Sequence, residues 1–287
     1  MMGSIRASRW LSTVGQYAMM SCLAVVFLFP LVWMAGKSLM GLNDLYSIPP
    51  KLFPGQLHFE AYWQIWSIRP FHLYLKNTLL VVVLSVVGAT FSSAFCAFGF
   101  ARLRFPFKNT IFGVVLSTIM LPGAVTMIPL YVLFSKLGWV NTIFPLVIPL
   151  FFGGGAFNIF LLRQFFATIP KDFDEAARID GAGSWSIFWR LALPLCYPAL
   201  TVVAVYSFMG AWNDFMGPMI YLSKQESFTL ALGLYGLSPG GVGVANIVNT
   251  AQLMAACTIA VIPVILVFLL AQRKLISGTV ISSGLKG

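Results

Sequence analysis

Charge is scarce in this sequence: 9% of its 287 residues are Asp, Glu, Lys or Arg, where a soluble domain carries about a quarter. With 59% hydrophobic residues and a mean hydropathy of +0.88, an ordinary soluble fold is excluded, as are disorder, coiled coil and collagen. Acid is scarcest of all, eight residues against eighteen basic ones. In a chain this apolar a basic excess is first a topology signal, and it gives no ground for a nucleic-acid partner. Four cysteines, Cys22, Cys96, Cys196 and Cys257, form no C-x-x-C pair, so neither a disulfide framework nor a zinc site is indicated and they read as small core residues. The two histidines, His58 and His72, share one segment without helical ligand spacing and read as surface residues.

Long hydrophobic runs, by contrast, are abundant. A crossing needs about twenty mostly apolar residues, and six windows free of Asp, Glu, Lys, Arg and His meet that length: 14–36, 77–100, 111–134, 142–162, 195–212 and 253–271. Backbone groups in lipid must bond internally, so the expected fold is all-α, an integral membrane protein with six transmembrane helices. The first window is too long for a signal-peptide core and lacks an A-x-A-like exit. The stretch 228–248 is apolar, but its glycines and Pro239 mark it as a loop outside the bilayer. The expected organisation is therefore an N-terminus at 1–13, a six-helix domain over 14–272 and a tail at 273–287. Twelve basic residues, Arg6, Arg102, Arg104, Lys108 and Arg163 among them, fall on one face and six on the other, together the eighteen of the sequence. Both termini are then expected to be cytoplasmic.

One internal loop concentrates charge. Residues 163–190 hold Arg163, Lys171, Asp172, Asp174, Glu175, Arg178, Asp180 and Arg190. Thr168 and Pro170 read as a helix start, acids fill the first turn, and Gly181 stands where a left-handed stop belongs. A second short amphipathic helix follows, with Ser184 as its N-cap, Trp185, Phe188 and Trp189 on one face, and Pro194 closing it. Two readings of the pair stay open on pattern alone. It docks in a partner's groove, with small Ala176 and Ala177 permitting close approach and Glu175 and Arg178 at the rim; or it lies flat on the membrane.

The run Glu175-Ala176-Ala177-Arg178-Ile179-Asp180-Gly181-Ala182, continuing to Leu191-Ala192-Leu193-Pro194, resembles the EAA loop of permease subunits in binding-protein-dependent ABC importers. That pattern is E-A-A, three residues, Gly, nine residues, then I-x-L-P; only Leu191, where Ile is usual, departs from it. The segments around Phe160–Phe166 and Trp212-Asn213-Asp214-Phe215, and the tail Gly284-Leu285-Lys286-Gly287, resemble the sugar-importing branch, in particular the maltose-type second permease subunit. The resemblance implies a non-catalytic permease in a prokaryotic cell membrane, importing a carbohydrate. It further implies a homologous but different permease as partner, two cytoplasmic ATPase subunits that carry ATP and Mg, and an external solute-binding protein. The coupling loop, 163–194, would seat Glu175, Ala176, Ala177, Arg178, Asp180, Gly181 and Pro194 against the ATPase, while Gly284, Lys286 and Gly287 reach toward the ATPase dimer.

Absences agree. No G-x-x-x-x-G-K-[ST] run is present, and Gly153-Gly154-Gly155 reads as a kink or close helix contact in the fourth window. The windows carry no carboxylate, which argues against the main alternative, an ion-coupled secondary transporter of a small solute. No metal cluster or Ser/His/Asp set suggests an enzyme. For the translocation path the candidates are Asn158, Trp212, Asn213 and Asp214, which offer a sugar hydrogen bonds and an aromatic face. For Asn158 interhelical bonding, and for Asp214 a helix cap, are the competing readings.

Overall fold

Backbone that enters lipid has no water to bond to and closes its hydrogen bonds within the segment, and the computed structural model is accordingly built of helices, with no strand among the described residues. It describes residues 2–68, 70–238 and 249–284, with only the backbone given for 2–12 and 273–284. In chain order the principal helices are α1 (Met2–Ser38), α2 (Glu60–Ile68), α3 (Phe71–Arg102), α4 (Lys108–Ser117), α5 (Gly123–Lys136) and α6 (Ala156–Thr168). Then follow α7 (Asp172–Ile179), α8 (Ser184–Leu195), α9 (Tyr197–Trp212), α10 (Met216–Tyr221), α11 (Leu230–Leu237) and α12 (Thr250–Gly284). Four stretches are long and apolar enough to cross a membrane: Thr13–Ser38, Phe71–Arg102, Phe144–Thr168 and Thr250–Gln272. Two bent pairs bring the total to six where each pair is counted as one crossing. The eight-residue α11 is too short to be a seventh crossing, and the rest of the apolar stretch 228–248 beyond Ser238 lies outside the described residues.

The bends correct two of the six expected windows. The third, 111–134, is not one rod: α4 and α5 meet at 100°. The cause is Pro122, whose ring drives Leu121 out of the helical region to φ −75°, ψ 118° and which is itself extended at φ −60°, ψ 133°. The fifth, 195–212, begins inside α8 and turns by 79° before α9. The break falls at Cys196 (φ −89°, ψ 9°), not at Pro194. Pro194 sits within α8 because residues 188–192 adopt the wider π spacing just before it, which accommodates a ring that would otherwise strike the carbonyl four residues back.

The chain divides into two compact units, Met1–Arg69 with Gly236–Ile262, and Pro70–Tyr235 with Pro263–Gly287. In the first, Ser38 Oγ lies 2.7 Å from Tyr62 Oη, Lys37 Nζ donates to the Lys51 carbonyl at 3.0 Å, and Gln252 Nε2 donates to Gln64 Oε1 at 2.7 Å. Small Ala61, Ala251 and Ala255 let the helices of this unit approach closely. His72 stands in the first turn of α3 and not in the loop that holds His58: the apolar pattern of the second window extends six residues further toward the N-terminus than its uncharged part.

In the second unit α3 is the central element. Its small residues Ala94 and Ala97, with Phe98, pack against Ile159, Leu162 and Phe166 of α6, Phe188 and Ala192 of α8, and Ala199 and Val203 of α9. Phe98 meets Phe188 at 5.2 Å and Phe166 edge-on at 5.9 Å between ring centroids, a favoured aromatic arrangement. The fourth crossing is interrupted by Gly153, Gly154 and Gly155, with φ of 99°, 64° and 97°, so the expected kink is present. The close contact is present too, because a Cβ on Gly154 would collide with the Ala89 carbonyl of α3. Gly154→Ala combines left-handed strain with that collision and should lower stability by about 3 kcal/mol. A melt of the detergent-solubilised protein indistinguishable from wild type would contradict this packing.

Candidate functional site: the loop between α6 and α9

The charged loop begins later than the sequence suggested. The apolar periodicity of the fourth crossing runs on past Arg163 to Thr168, which is the last residue of α6 and donates its hydroxyl back to the Phe165 carbonyl at 2.8 Å. Arg163 is carried by that helix with its guanidinium over the Phe112 ring, 4.2 Å from the centroid. Ile169 and Pro170 then turn the chain, and α7 starts at Asp172 with Lys171 as its cap residue, whose carbonyl accepts the amides of Asp174 and Glu175 at 2.9 and 3.1 Å. Acids at 172, 174 and 175 occupy the first turn, where the helix dipole favours them.

The stop is a complete Schellman motif. Gly181 adopts φ 80°; its amide donates to the Arg178 carbonyl at 3.0 Å and the Ala182 amide to the Ala177 carbonyl at 2.9 Å. Glycine meets this left-handed requirement without a Cβ penalty. Ser184 is the first helical residue of α8 and not its cap; Gly183 takes the cap position and makes no side-chain bond. The aromatic face forms as expected: Phe188 is buried in the core, while Trp185 and Trp189 remain largely exposed and edge-on to each other at 5.9 Å.

What fixes the loop to the crossings is a residue that the sequence pattern did not single out. Arg102, the last residue of α3, places Nη1 3.2 Å from Asp174 Oδ2 and donates from Nη2 to the Ile169 carbonyl at 2.7 Å. The two side chains are 5% and 15% exposed, so this ion pair is shielded from water and holds α7 against the end of α3. Arg102 entered the sequence reading only as one basic residue of a face count. Its tie to a loop more than sixty positions away has no local signature.

The expected loop residues separate into two groups. Ala177 turns inward, packing with Ala182 on the helical core. Ala176, with exposed Phe173 (51%) and Ile179 (87%) and with Asp172 and Asp180 beside it, forms the outward face. Only one of the paired alanines is therefore available for close approach by another molecule. Glu175 and Arg178 lie on the intervening flank, lining a polar cavity with Lys171.

The candidates for the path are placed apart from this loop, and Asn158, Asn213 and Asp214 each make a bond to nearby backbone. Asn158, buried at the start of α6, donates Nδ2 to the Gly154 carbonyl at 2.7 Å, bracing the glycine kink, and its Oδ1 has no hydrogen-bond partner. Trp212 is buried and stacks on Phe208 at 5.6 Å. Asn213 donates to the Met209 carbonyl at 2.8 Å, and Asp214 Oδ1, one residue before the Phe215 cap position, accepts the Gly217 amide in the first turn of α10 at 3.0 Å. Burial pushes the Asp214 carboxyl above the usual range, while the amides of Gly217 and Met216 hold it down. Of the tail residues, Gly284 ends the described part of α12; Lys286 and Gly287 lie outside the described residues.

At the far end of α3 a second set of bonds was also illegible in sequence. Asn77 Nδ2 donates to the carbonyls of Glu226 and Phe228 at 2.8 and 3.1 Å, Gln225 Nε2 donates to Tyr74 Oη at 3.0 Å, and Thr78 Oγ1 accepts the Leu230 amide at 2.7 Å.

A multi-pass helical membrane protein whose most charged internal loop is a glycine-stopped helix pair, tied to the crossings by a shielded ion pair, fits the class of transport permeases. The chain is a member of the family described as binding-protein-dependent transport system inner membrane component, whose model matches residues 89–279. It is 33% identical over 97% of its length to the inner membrane ABC transporter permease protein YcjP of Escherichia coli, covering 98% of that protein. It is 30% identical to the diacetylchitobiose uptake system permease protein NgcG of Streptomyces coelicolor, over 92% of this chain and 86% of that one. Its identity to the galactooligosaccharides transport system permease protein GanQ of Bacillus subtilis is also 30%, over 100% of both. In fold it is similar to a chain of a bacterial ABC transporter involved in the import of the acidic polysaccharide alginate, with a TM-score of 0.82 at 23% identity over 93% of this chain and 97% of that one.

Proposed function

We propose that this chain forms, with a homologous permease of different sequence, the membrane path by which a carbohydrate enters a prokaryotic cell at the expense of ATP. It catalyses nothing itself: ATP and Mg belong to two cytoplasmic ATPase subunits, and an external binding protein delivers the solute. The observation that carries this reading is the α7–α8 loop, a short helix with an exposed apolar face, stopped at Gly181 and fastened through Asp174 to Arg102. Such an element suits insertion into a groove of another subunit and the transfer of its displacement to the crossings. Phe173, Ala176 and Ile179 enter the groove, Glu175 and Arg178 meet its rim, and the tail residues Gly284, Lys286 and Gly287 reach the same partner.

The basic excess on the loop's face supports a cytoplasmic position for that loop and both termini. Carbohydrate as cargo is supported by relatives named for diacetylchitobiose and galactooligosaccharide transport. An external partner is supported by the similar alginate transporter crystallised with a pentasaccharide-bound periplasmic protein, at a TM-score of 0.64. Within the path, Asn158 offers its unpartnered buried Oδ1 to a sugar hydroxyl, and the Trp212–Asp214 corner shapes the outer end. ATP must favour one orientation of the path over the other, since equal stabilisation of both moves no solute.

The test is uptake by the complete complex in sealed vesicles with its binding protein. Accumulation should require ATP inside and persist when ionophores abolish ion gradients. Uptake by this chain alone, driven by an ion gradient without ATP, would overturn the proposal.

A further inference from the structure

A polar cavity of about 550 Å³ opens beside the loop, where the end of α3, the turn 103–107 and the flank of α7 converge. Five cations line it, Arg102, Arg104, Lys108, Lys171 and Arg178, against two carboxylates, Asp174 and Glu175. Arg102 and Asp174 are already spent on each other, which leaves four positive charges facing Glu175. Lys108 is held in place by donating to the Leu103 carbonyl at 2.9 Å, and Arg102 Nε, in a side chain 5% exposed, has no partner. Such a concentration of like charge is unfavourable until an anion enters it.

This cavity adjoins the rim of the docking face, where Glu175 and Arg178 lie, and not its apolar centre. At about 100° per residue along α7, Lys171, Glu175 and Arg178 share one flank, whereas Phe173, Ala176 and Ile179 point elsewhere. Arg102 ends one apolar helix and Lys108 begins the next, so the cavity stands where the uncharged windows 77–100 and 111–134 adjoin their charged connection. The turn that carries Arg104 and Lys108 presents Phe105 and Phe107 to the surroundings, 37% and 78% exposed. Basic groups flanked by exposed aromatics are the pattern of a headgroup contact.

We infer that the cavity between Arg104, Lys108, Lys171 and Arg178 binds a phosphate-bearing anion, the headgroup of an anionic phospholipid of the adjoining leaflet, with Phe105 and Phe107 against its acyl chains. The bound headgroup neutralises the cluster and braces α7 beside the Arg102–Asp174 pair.

The test uses the purified complex, stripped of lipid and exchanged with mixed phosphatidylglycerol and phosphatidylcholine vesicles, with retained lipid read by mass spectrometry. Wild type should retain phosphatidylglycerol in preference. Arg104→Gln with Lys108→Gln should lower that preference by more than tenfold, and Lys171→Gln alone by about fivefold. Arg190→Gln, on an exposed residue of α8 that does not line the cavity, should leave it unchanged. Equal retention of the two lipids, an unaltered preference in the double variant, or an equal loss in Arg190→Gln would overturn the inference. Inorganic phosphate is the second arm: if it alone protects wild type from thermal unfolding with no lipid preference, the site takes a free anion and the lipid assignment fails.

Discussion

Gly181→Pro is expected to reduce solute uptake by about tenfold or more while leaving the protein inserted in the membrane and the proposed ATPase partners able to hydrolyse ATP. Two bonds stop α7, one from the Gly181 amide and one from the Ala182 amide, and both depend on the left-handed backbone at Gly181. Proline removes the first donor, fixes φ near −65° and so forbids the second. An eight-residue helix is below the length of about twelve at which a helix persists unaided, so losing its stop dissolves the element and not merely its end. Gly181→Ala keeps the donor and pays about 1–2 kcal/mol of strain, so its uptake should fall between proline and wild type. The measurement is ATP-dependent uptake alongside ATPase rate in the same vesicles. Normal values of both in the proline variant would mean that the loop transmits nothing.

Breaking the pair at the root of that loop should cost about as much. Arg102→Met leaves the Asp174 carboxylate with little water and without its paired guanidinium, a situation worth about 3–5 kcal/mol where a shielded pair loses one partner. It also frees the Ile169 carbonyl. Asp174→Leu leaves the guanidinium with that carbonyl alone. The double variant carries no orphaned charge, so its melting temperature should recover most of the loss of either single one, since paired apolar replacements of a buried ion pair are often near neutral. Uptake should not recover in parallel, because apolar contact does not fix the direction of α7 as two aimed donors do. Additive destabilisation in the double variant would show that the two residues do not act as a pair.

The crossings were legible because lipid imposes a length on any uncharged run, and that constraint acts within a single window of sequence. The EAA loop was legible for a related reason: its glycine stop and acidic first turn are local devices. Boundaries were less so. Thr168 carries the chemistry of a helix start yet ends α6, because the apolar face of the preceding helix extends past Arg163, whose charge is accommodated on the Phe112 ring. Pro194 reads as a terminator, but a π-spaced turn absorbs it. The 100° bend at Pro122 was announced by the proline and hidden by a window that counts only charge. What sequence could not reveal was pairing across the chain, such as Arg102 with Asp174 or Asn77 with Glu226 and Phe228, where nothing near either partner indicates the other. The cavity of cations beside α7 was hidden likewise, its members counted only as evidence for a face.

The two ends of α3 have one further implication. Its thirty-two residues make a bar roughly 48 Å long with no proline to flex it, gripping the α7 lever through Arg102 at one tip and the segment 225–230 through Asn77 and Thr78 at the other. A stiff strut cannot report to one end only, so the moment at which the lever swings and the moment at which the opposite surface rearranges are set by the same body, and a joint engineered midway should let them drift out of step.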